Sequence, residues 1–146
     1  MIKSTVCYLV HDEKWLMLLR NKKQNDLNHG KWIGVGGKLK ENEAPYECMV
    51  REVIEETGYQ VQSALYCGII HFHYQHHEDE EIYVYQTSDY VGTLHECSEG
   101  TLAYIPKKDI LDLEIWEGDR IFLEKMFRNE VPFSIRLYYD ENEILI

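Results

Sequence analysis

Hydrophobic positions along this chain fall mostly in short alternating or continuous runs between polar turns, and two stretches carry the spacing of a helix. Residues 5–10 and 15–20 predict two strands joined by the polar turn His11-Asp12-Glu13-Lys14. Residues 21–31 are polar and predict a loop. Residues 32–37 (Trp-Ile-Gly-Val-Gly-Gly) hold too many glycines for a stable regular element, and predict backbone that turns tightly or approaches another group closely. Residues 61–74 and 82–87 predict strands, with the acidic and histidine-rich residues 75–81 turning between them. A short strand at residues 102–105 ends at Pro106. Residues 133–139 and 144–146, around Asp140-Glu141-Asn142, predict a closing hairpin.

Residues 44–57 carry the clearest helix signal. Pro45 falls in the first turn, where its missing N–H costs nothing, Glu43 and Glu47 suit the positive helix start, and Gly58 follows the end as a C-cap glycine. A second helix is predicted from Asp119, as N-cap, to Asn129, with Ile121, Phe122, Lys125, Met126 and Phe127 at helical spacing. Strands mixed with two helices predict an α/β sandwich. No repeat and no linker interrupts the chain, so one domain over residues 1–146 is expected.

The balance of 15 Lys and Arg against 26 Asp and Glu gives a net charge of −11, which repels nucleic-acid backbones and anionic membranes. A small anion remains an admissible partner where a cation offsets the charge locally. Cys7, Cys48, Cys67 and Cys97 show no CxxC spacing, which excludes a zinc knuckle and points to free thiols. No run approaches the ~20 apolar residues of a membrane span, and residues 1–10 are too short for a signal segment. A cytoplasmic protein is the expectation.

On the first helix, at ~100° per residue, Tyr46, Val50, Val53 and Thr57 fall on one side and Glu52, Glu55 and Glu56 on the other. Glu52 with Glu55 and with Glu56 are like-charge pairs that destabilise an isolated helix by roughly 0.2–0.5 kcal/mol each. Arg51 lies four residues from both Glu47 and Glu55 and can pair with either, yet one arginine does not neutralise the stripe. A divalent cation would, since Mg²⁺ is held by a few carboxylates with water and substrate phosphates in its other positions. A solvated face is the other reading of such a stripe.

The surrounding spacing decides between them. Gly37, five residues, Glu43, seven residues, then Arg51-Glu52-Val53-Ile54-Glu55-Glu56-Thr57-Gly58-Tyr59 resembles the Nudix box, Gx5Ex7REUxEExGU, over residues 37–59, with Tyr59 a mild departure at the last position. The resemblance implies a Nudix-type α/β/α sandwich with a mixed β-sheet, and Mg²⁺-dependent hydrolysis of a diphosphate, with Mn²⁺ as a substitute. It implies Glu52, Glu55, Glu56 and the Gly36 carbonyl as metal ligands, with Arg51 and Glu43 bracing the helix. Glu99 is implied as a further ligand or a base; a surface glutamate is the alternative.

Outside the box, Leu18-Leu19-Arg20-Asn21-Lys22-Lys23, the segment Gly30 to Lys38 and Trp116-Glu117-Gly118-Asp119 are similar to the MutT-type 8-oxo-dGTP diphosphatases. That likeness implies cleavage of a nucleoside triphosphate to monophosphate and pyrophosphate by a monomer or homodimer. Lys23 would pair with the triphosphate, and Trp32, Gly36, Gly37 and Lys38 would lie on the substrate side. Trp116 would stack on the purine while Asp119 bonds its edge. Core packing for Trp116, an N-cap for Asp119 and a solvated loop for Lys23 are the alternatives. Ile33 stands where animal members carry a base-contacting asparagine, which leaves broad purine selectivity open. Other Nudix substrates (dNTPs, a pterin triphosphate, a nucleotide sugar) and a non-catalytic binding module are the rival readings. His71, His73, His76 and His77 line a groove, decorate a solvated hairpin, or seat a transition metal.

Overall fold

The strand predicted at residues 5–10 is the middle of a longer one, β1 (Ile2–His11), in a computed structural model that describes residues 1–22 and 26–140. Asp12 and Glu13, both with positive φ, turn it back into β2 (Lys14–Leu19). The chain continues through β3 (Trp32–Ile33), β4 (Val35–Lys38), α1 (Pro45–Thr57), β5 (Tyr59–Tyr74), β6 (Glu80–Gly92), β7 (Thr101–Pro106), α2 (Glu117–Phe127) and β8 (Phe133–Tyr139). The strands join in the order β3-β2-β1-β6-β5-β8, with β4 added to β1 and β7 to β2. β1 runs parallel to β6 and β5 parallel to β8, while the other pairs are antiparallel, so the sheet is mixed as expected.

Side chains alternate across a strand, and here the alternation divides two cores. Tyr8, Trp15 and Met17 pack with Phe122, Leu123 and Met126 of α2. Cys7, Leu9, Leu16 and Leu18 pack on the opposite face with Met49 and Val53 of α1. Each helix therefore covers one face, and β1 is buried on both. This is the α/β sandwich that the pattern of elements predicted, in the α/β/α form that the resemblance implied.

Of four expectations, three are corrected and one reaches past the described residues. First, the glycine-rich stretch is not irregular, because Val35, Gly36, Gly37 and Lys38 pair antiparallel with Cys7, Val6, Thr5 and Ser4. A Cβ on Gly36 would sit 1.9 Å from the Thr5 carbonyl oxygen, which is the close approach expected of these glycines, made inside a paired strand. Second, the strand predicted at residues 133–139 is β8, paired in parallel with β5, while the other arm of its predicted hairpin, residues 144–146, lies outside the described residues.

Third, α2 starts three residues early: Trp116 is the N-cap and Asp119 sits within the first turn, where its backbone N–H donates to the Trp116 carbonyl at 3.0 Å. Fourth, the buried face of α1 consists of Cys48, Met49, Val53, Glu56 and Thr57, whereas Tyr46 is 40% exposed and packs edge-on against Tyr85. The apolar side is rotated toward Glu56, which carries an acid into the interior. Gly58 closes α1 with φ 88°, its N–H donating to the Ile54 carbonyl, as a left-handed C-cap should.

The four cysteines are free and buried. Among the described residues no helix is long and apolar enough to cross a membrane.

Met49 is fully buried beneath α1, so Met49→Ala should lower unfolding free energy by about 2–5 kcal/mol, and Tyr46→Ala by clearly less. Urea denaturation of the two variants checks this order.

Candidate active site

The two glycines of β4 face the acidic helix. A Cβ on Gly37 would lie 2.5 Å from the Glu52 carboxyl carbon, so the carboxylate occupies the space that any other residue would fill. The Gly36 N–H donates to Glu56 Oε2 at 3.2 Å. Backbone and helix are thus pressed together with carboxylates between them, which explains the small residues in the motif.

Arg51 organises the exposed end of this arrangement. Its Nε donates to Glu43 Oε2 at 2.7 Å and its Nη2 to Glu43 Oε1 at 2.9 Å, a two-toothed pair. Its Nη1 reaches Glu52 Oε1 at 2.8 Å and Glu55 Oε2 at 3.3 Å, and Nη2 also donates to the Lys38 carbonyl at 3.2 Å. The Arg51 hydrogen bond is the main reason that the Glu43 carboxyl is held down at about 2. Glu47, the other partner expected for Arg51, instead accepts from the Ala44 N–H at 3.0 Å and fastens the helix start.

Glu56 has no such cation. Its side of the helix is buried, 8% exposed, and burial pushes its carboxyl well above the ordinary value, with the neighbouring Glu99 and Glu52 adding to the effect. Burial also raises Glu52, against the pull of Arg51. Glu55 differs: its side chain is 52% exposed and it stands at the outer edge with Arg51. Among the described residues no three acidic, histidine or cysteine side chains converge into a formed metal centre. The donor set nevertheless fits a hard divalent cation. All its donors are oxygens, and the buried acids repel one another and Glu99 with too little positive charge to offset them. The Gly36 carbonyl is on the strand segment beside them.

Glu52, Glu56, Glu99 and Gly36, but not Glu55, border a cavity of about 560 Å³. Its lining includes Glu52, Glu56, Glu99, Gly36, Gly37 and Lys38 together with Tyr8, Asn28, Ile33, Phe72, Trp116 and Asp119. Trp116 is only 5% exposed, and its Nε1 donates to Asn28 Oδ1 at 2.8 Å. Its ring meets Tyr139 edge-on at 4.8 Å, and the Lys31 ammonium lies 4.8 Å from the ring centre. Trp116 is therefore core and cavity wall at once. Burial pushes the Asp119 carboxyl up to about 7, with Lys31 pulling it down. Trp32 is not part of the lining; it packs beside the α2 core, and its N–H donates to the Glu114 carbonyl at 2.9 Å. Lys23 lies outside the described residues.

His77 lines the cavity, whereas His73 pairs with Asp79 at 2.5 Å and His71 lies 3.6 Å from Glu81. The histidines thus serve the hairpin and the cavity edge, and among the described residues they form no metal cluster.

Residues 1–126 match the NUDIX domain family. The chain belongs to the Nudix family. This Nudix hydrolase is similar to an uncharacterized Nudix hydrolase of Bacillus subtilis, YvcI, with 26% identity over 133 residues, 88% of this chain and 80% of that one. It is also similar to the oxidized purine nucleoside triphosphate hydrolase of Danio rerio, 25% identical over 114 residues, 77% of this chain and 73% of the fish protein. Among solved structures, the MutT protein of Bacillus halodurans shares the fold with a TM-score of 0.90 at 21% identity, over 100% of this chain and 95% of that one. The MutT protein of Methanosarcina mazei does so with a TM-score of 0.77 at 24% identity, over 90% of this chain and 96% of that one.

Sequence reading missed Asn28, Tyr8, Phe72 and Arg20 as parts of this Nudix cavity. Only Arg20 carried a signal, an arginine at the end of an apolar strand. The others enter through the loop fold and the sheet face, which no local pattern reveals.

A raised acid contributes stability that is fully present at low pH and is lost as pH climbs from its ordinary value of 3.8 through about 7 for Asp119. In the metal-free protein, Asp119→Asn should therefore gain in Tm over the native chain between about pH 5 and about pH 8. Thermal melts at the two pH values test this sign.

Proposed function

We propose that this Nudix hydrolase cleaves a nucleoside triphosphate to the monophosphate and pyrophosphate, with 8-oxo-dGTP as its leading substrate. The observation that carries the reading is one cavity lined both by carboxylates beside the β4 glycines and by aromatic, amide and carboxyl groups. A polyphosphate suits the first and a purine the second. The likeness to a protein named for oxidized purine nucleoside triphosphates supports the same choice.

Glu52, Glu56, Glu99 and the Gly36 carbonyl would hold Mg²⁺, or Mn²⁺ in its place, with Glu55 contributing from the outer edge. When bound, the ion supplies Lewis acidity toward phosphate oxygens and a more acidic water. Arg51 fixes the Glu52 carboxylate on the side of Glu43. Glu52 or Glu99 takes the proton as water attacks phosphorus, and the anhydride P–O bond breaks in line with it. Lys38 at the cavity rim and the loop bearing Lys23 offset phosphate charge, Trp116 forms the wall against the base, and Asp119 bonds its edge. The substrate is a free nucleotide of the cytoplasm, since the net charge of −11 disfavours a polymer.

A second reading has one specific support. Ile33 lines the cavity with an apolar side chain, so base selectivity has fewer polar contacts to rest on, and ordinary purine triphosphates or other nucleoside diphosphate derivatives become substrates.

Purified protein incubated with Mg²⁺ and a nucleotide panel should release monophosphate and pyrophosphate, fastest from 8-oxo-dGTP. Orthophosphate release, cleavage of nucleotide sugars alone, or no product would overturn the reading. Glu56→Gln should lower kcat by about 10²–10⁴-fold at saturating Mg²⁺, measured by pyrophosphate release.

A further inference from the structure

Glu99 sits on a turn closed by the Cys97 and Gly100 bridge, and the end of β2 grips that turn from the side. Lys22 Nζ donates to the Cys97 carbonyl at 3.0 Å, and Asn21 Nδ2 donates to Thr101 Oγ1 at 3.0 Å. Gly100 lies so near β2 that a Cβ there would stand 1.9 Å from the Leu19 carbonyl oxygen. Between these anchors Arg20 turns inward. Its side chain is 12% exposed, lines the cavity, and places Nε 2.8 Å from Asp26 Oδ2 and Nη1 3.6 Å from Glu99 Oε2. Its backbone is fixed too, since the Gly30 N–H donates to its carbonyl at 2.7 Å and its own N–H to the Lys31 carbonyl at 3.1 Å.

Burying a guanidinium is unfavourable unless carboxylates pair with it. Arg20 has two, and they are unequal. Asp26 is 9% exposed and has no part in the proposed chemistry, while Glu99 is 35% exposed and borders Glu56. Asp26 is thus the anchor, and Glu99 is the group being held.

We propose that Arg20 is a positioning residue: anchored on Asp26, it holds the Glu99 carboxylate beside Glu56 at the edge of the cavity. The inference rests on reading Glu99 as part of the hydrolytic site. A glutamate on a turn otherwise samples several rotamers, and each unproductive one lowers the fraction of complexes that react without weakening substrate binding. The planar guanidinium fork spans both carboxylates, whereas the single ammonium of lysine does not.

The test uses the full chain with Mg²⁺ and its best nucleotide, and compares Arg20→Gln, Arg20→Lys, Asp26→Asn, Glu99→Gln and the double variant Arg20→Gln/Glu99→Gln. Arg20→Gln should lower kcat about 10–100-fold with KM within about 3-fold, Asp26→Asn should fall the same way by less, and Arg20→Lys should recover part of the loss. In the Glu99→Gln background, Arg20→Gln should cost at most about 3-fold more, because the group it positions is already gone.

Without metal or substrate, hydrogen exchange at the Glu99 and Gly100 amides should quicken about 10-fold in Arg20→Gln while the core strands stay protected. A raised KM with unchanged kcat, multiplicative losses in the double variant, or unchanged exchange would overturn the proposal. If Glu99→Gln keeps the native rate, the reading of Glu99 fails and this role with it. If Glu99→Gln is impaired and Arg20→Gln is not, only the positioning role falls.

Discussion

Crowding of negative charge at the junction of β4 and α1 is the constraint around which the rest of this molecule is arranged. Glu56 is drawn into the interior by the same helix face that buries Met49 and Val53, so the hydrophobic contacts of α1 hold a carboxyl where water cannot solvate it fully. The Gly36 N–H meets it, and Gly37 leaves room for Glu52 beside it. Arg51 can relieve Glu52 and Glu43 but does not reach Glu56, which leaves a site arranged for a cation. Stability and chemistry pull against each other at that point, as strained sites in functional clefts commonly do.

The fold class, the α1 helix with its proline start and glycine end, and most strands were legible in the sequence because each rests on local periodicity or on capping. What escaped were features set by distant partners. The glycines of β4 looked like breakers, yet β1 supplies a partner that needs them small. The rotation of α1 toward Glu56 was hidden because Tyr46 and Val50 are as apolar as the residues that are buried, and only the position of the sheet distinguishes them. Asp119 resembled an N-cap, but the helix gains an extra turn position from Glu117 and Gly118, with the Gly118 N–H bonded to the Tyr139 hydroxyl at 2.6 Å.

The site divides in the same way. Arg51, Glu52, Glu55, Glu56 and Gly37 are contiguous in a spaced motif, so one helix and one strand reveal them. The aromatic part of the cavity is assembled from Tyr8 on β1, Asn28 in a loop, Phe72 on β5 and Trp116 before α2, which are far apart along the chain. Trp116 also shows that core packing and a place in the cavity wall are not alternatives, because the same indole does both.

That separation of sources has an evolutionary consequence. Drift at Ile33, Asn28 or the β5 face can reshape what the pocket admits while leaving the acid cluster of α1 untouched, since these residues come from other elements than the acids that line the same cavity. A lineage built on this scaffold is free to exchange one ligand preference for another and keep its acid cluster intact.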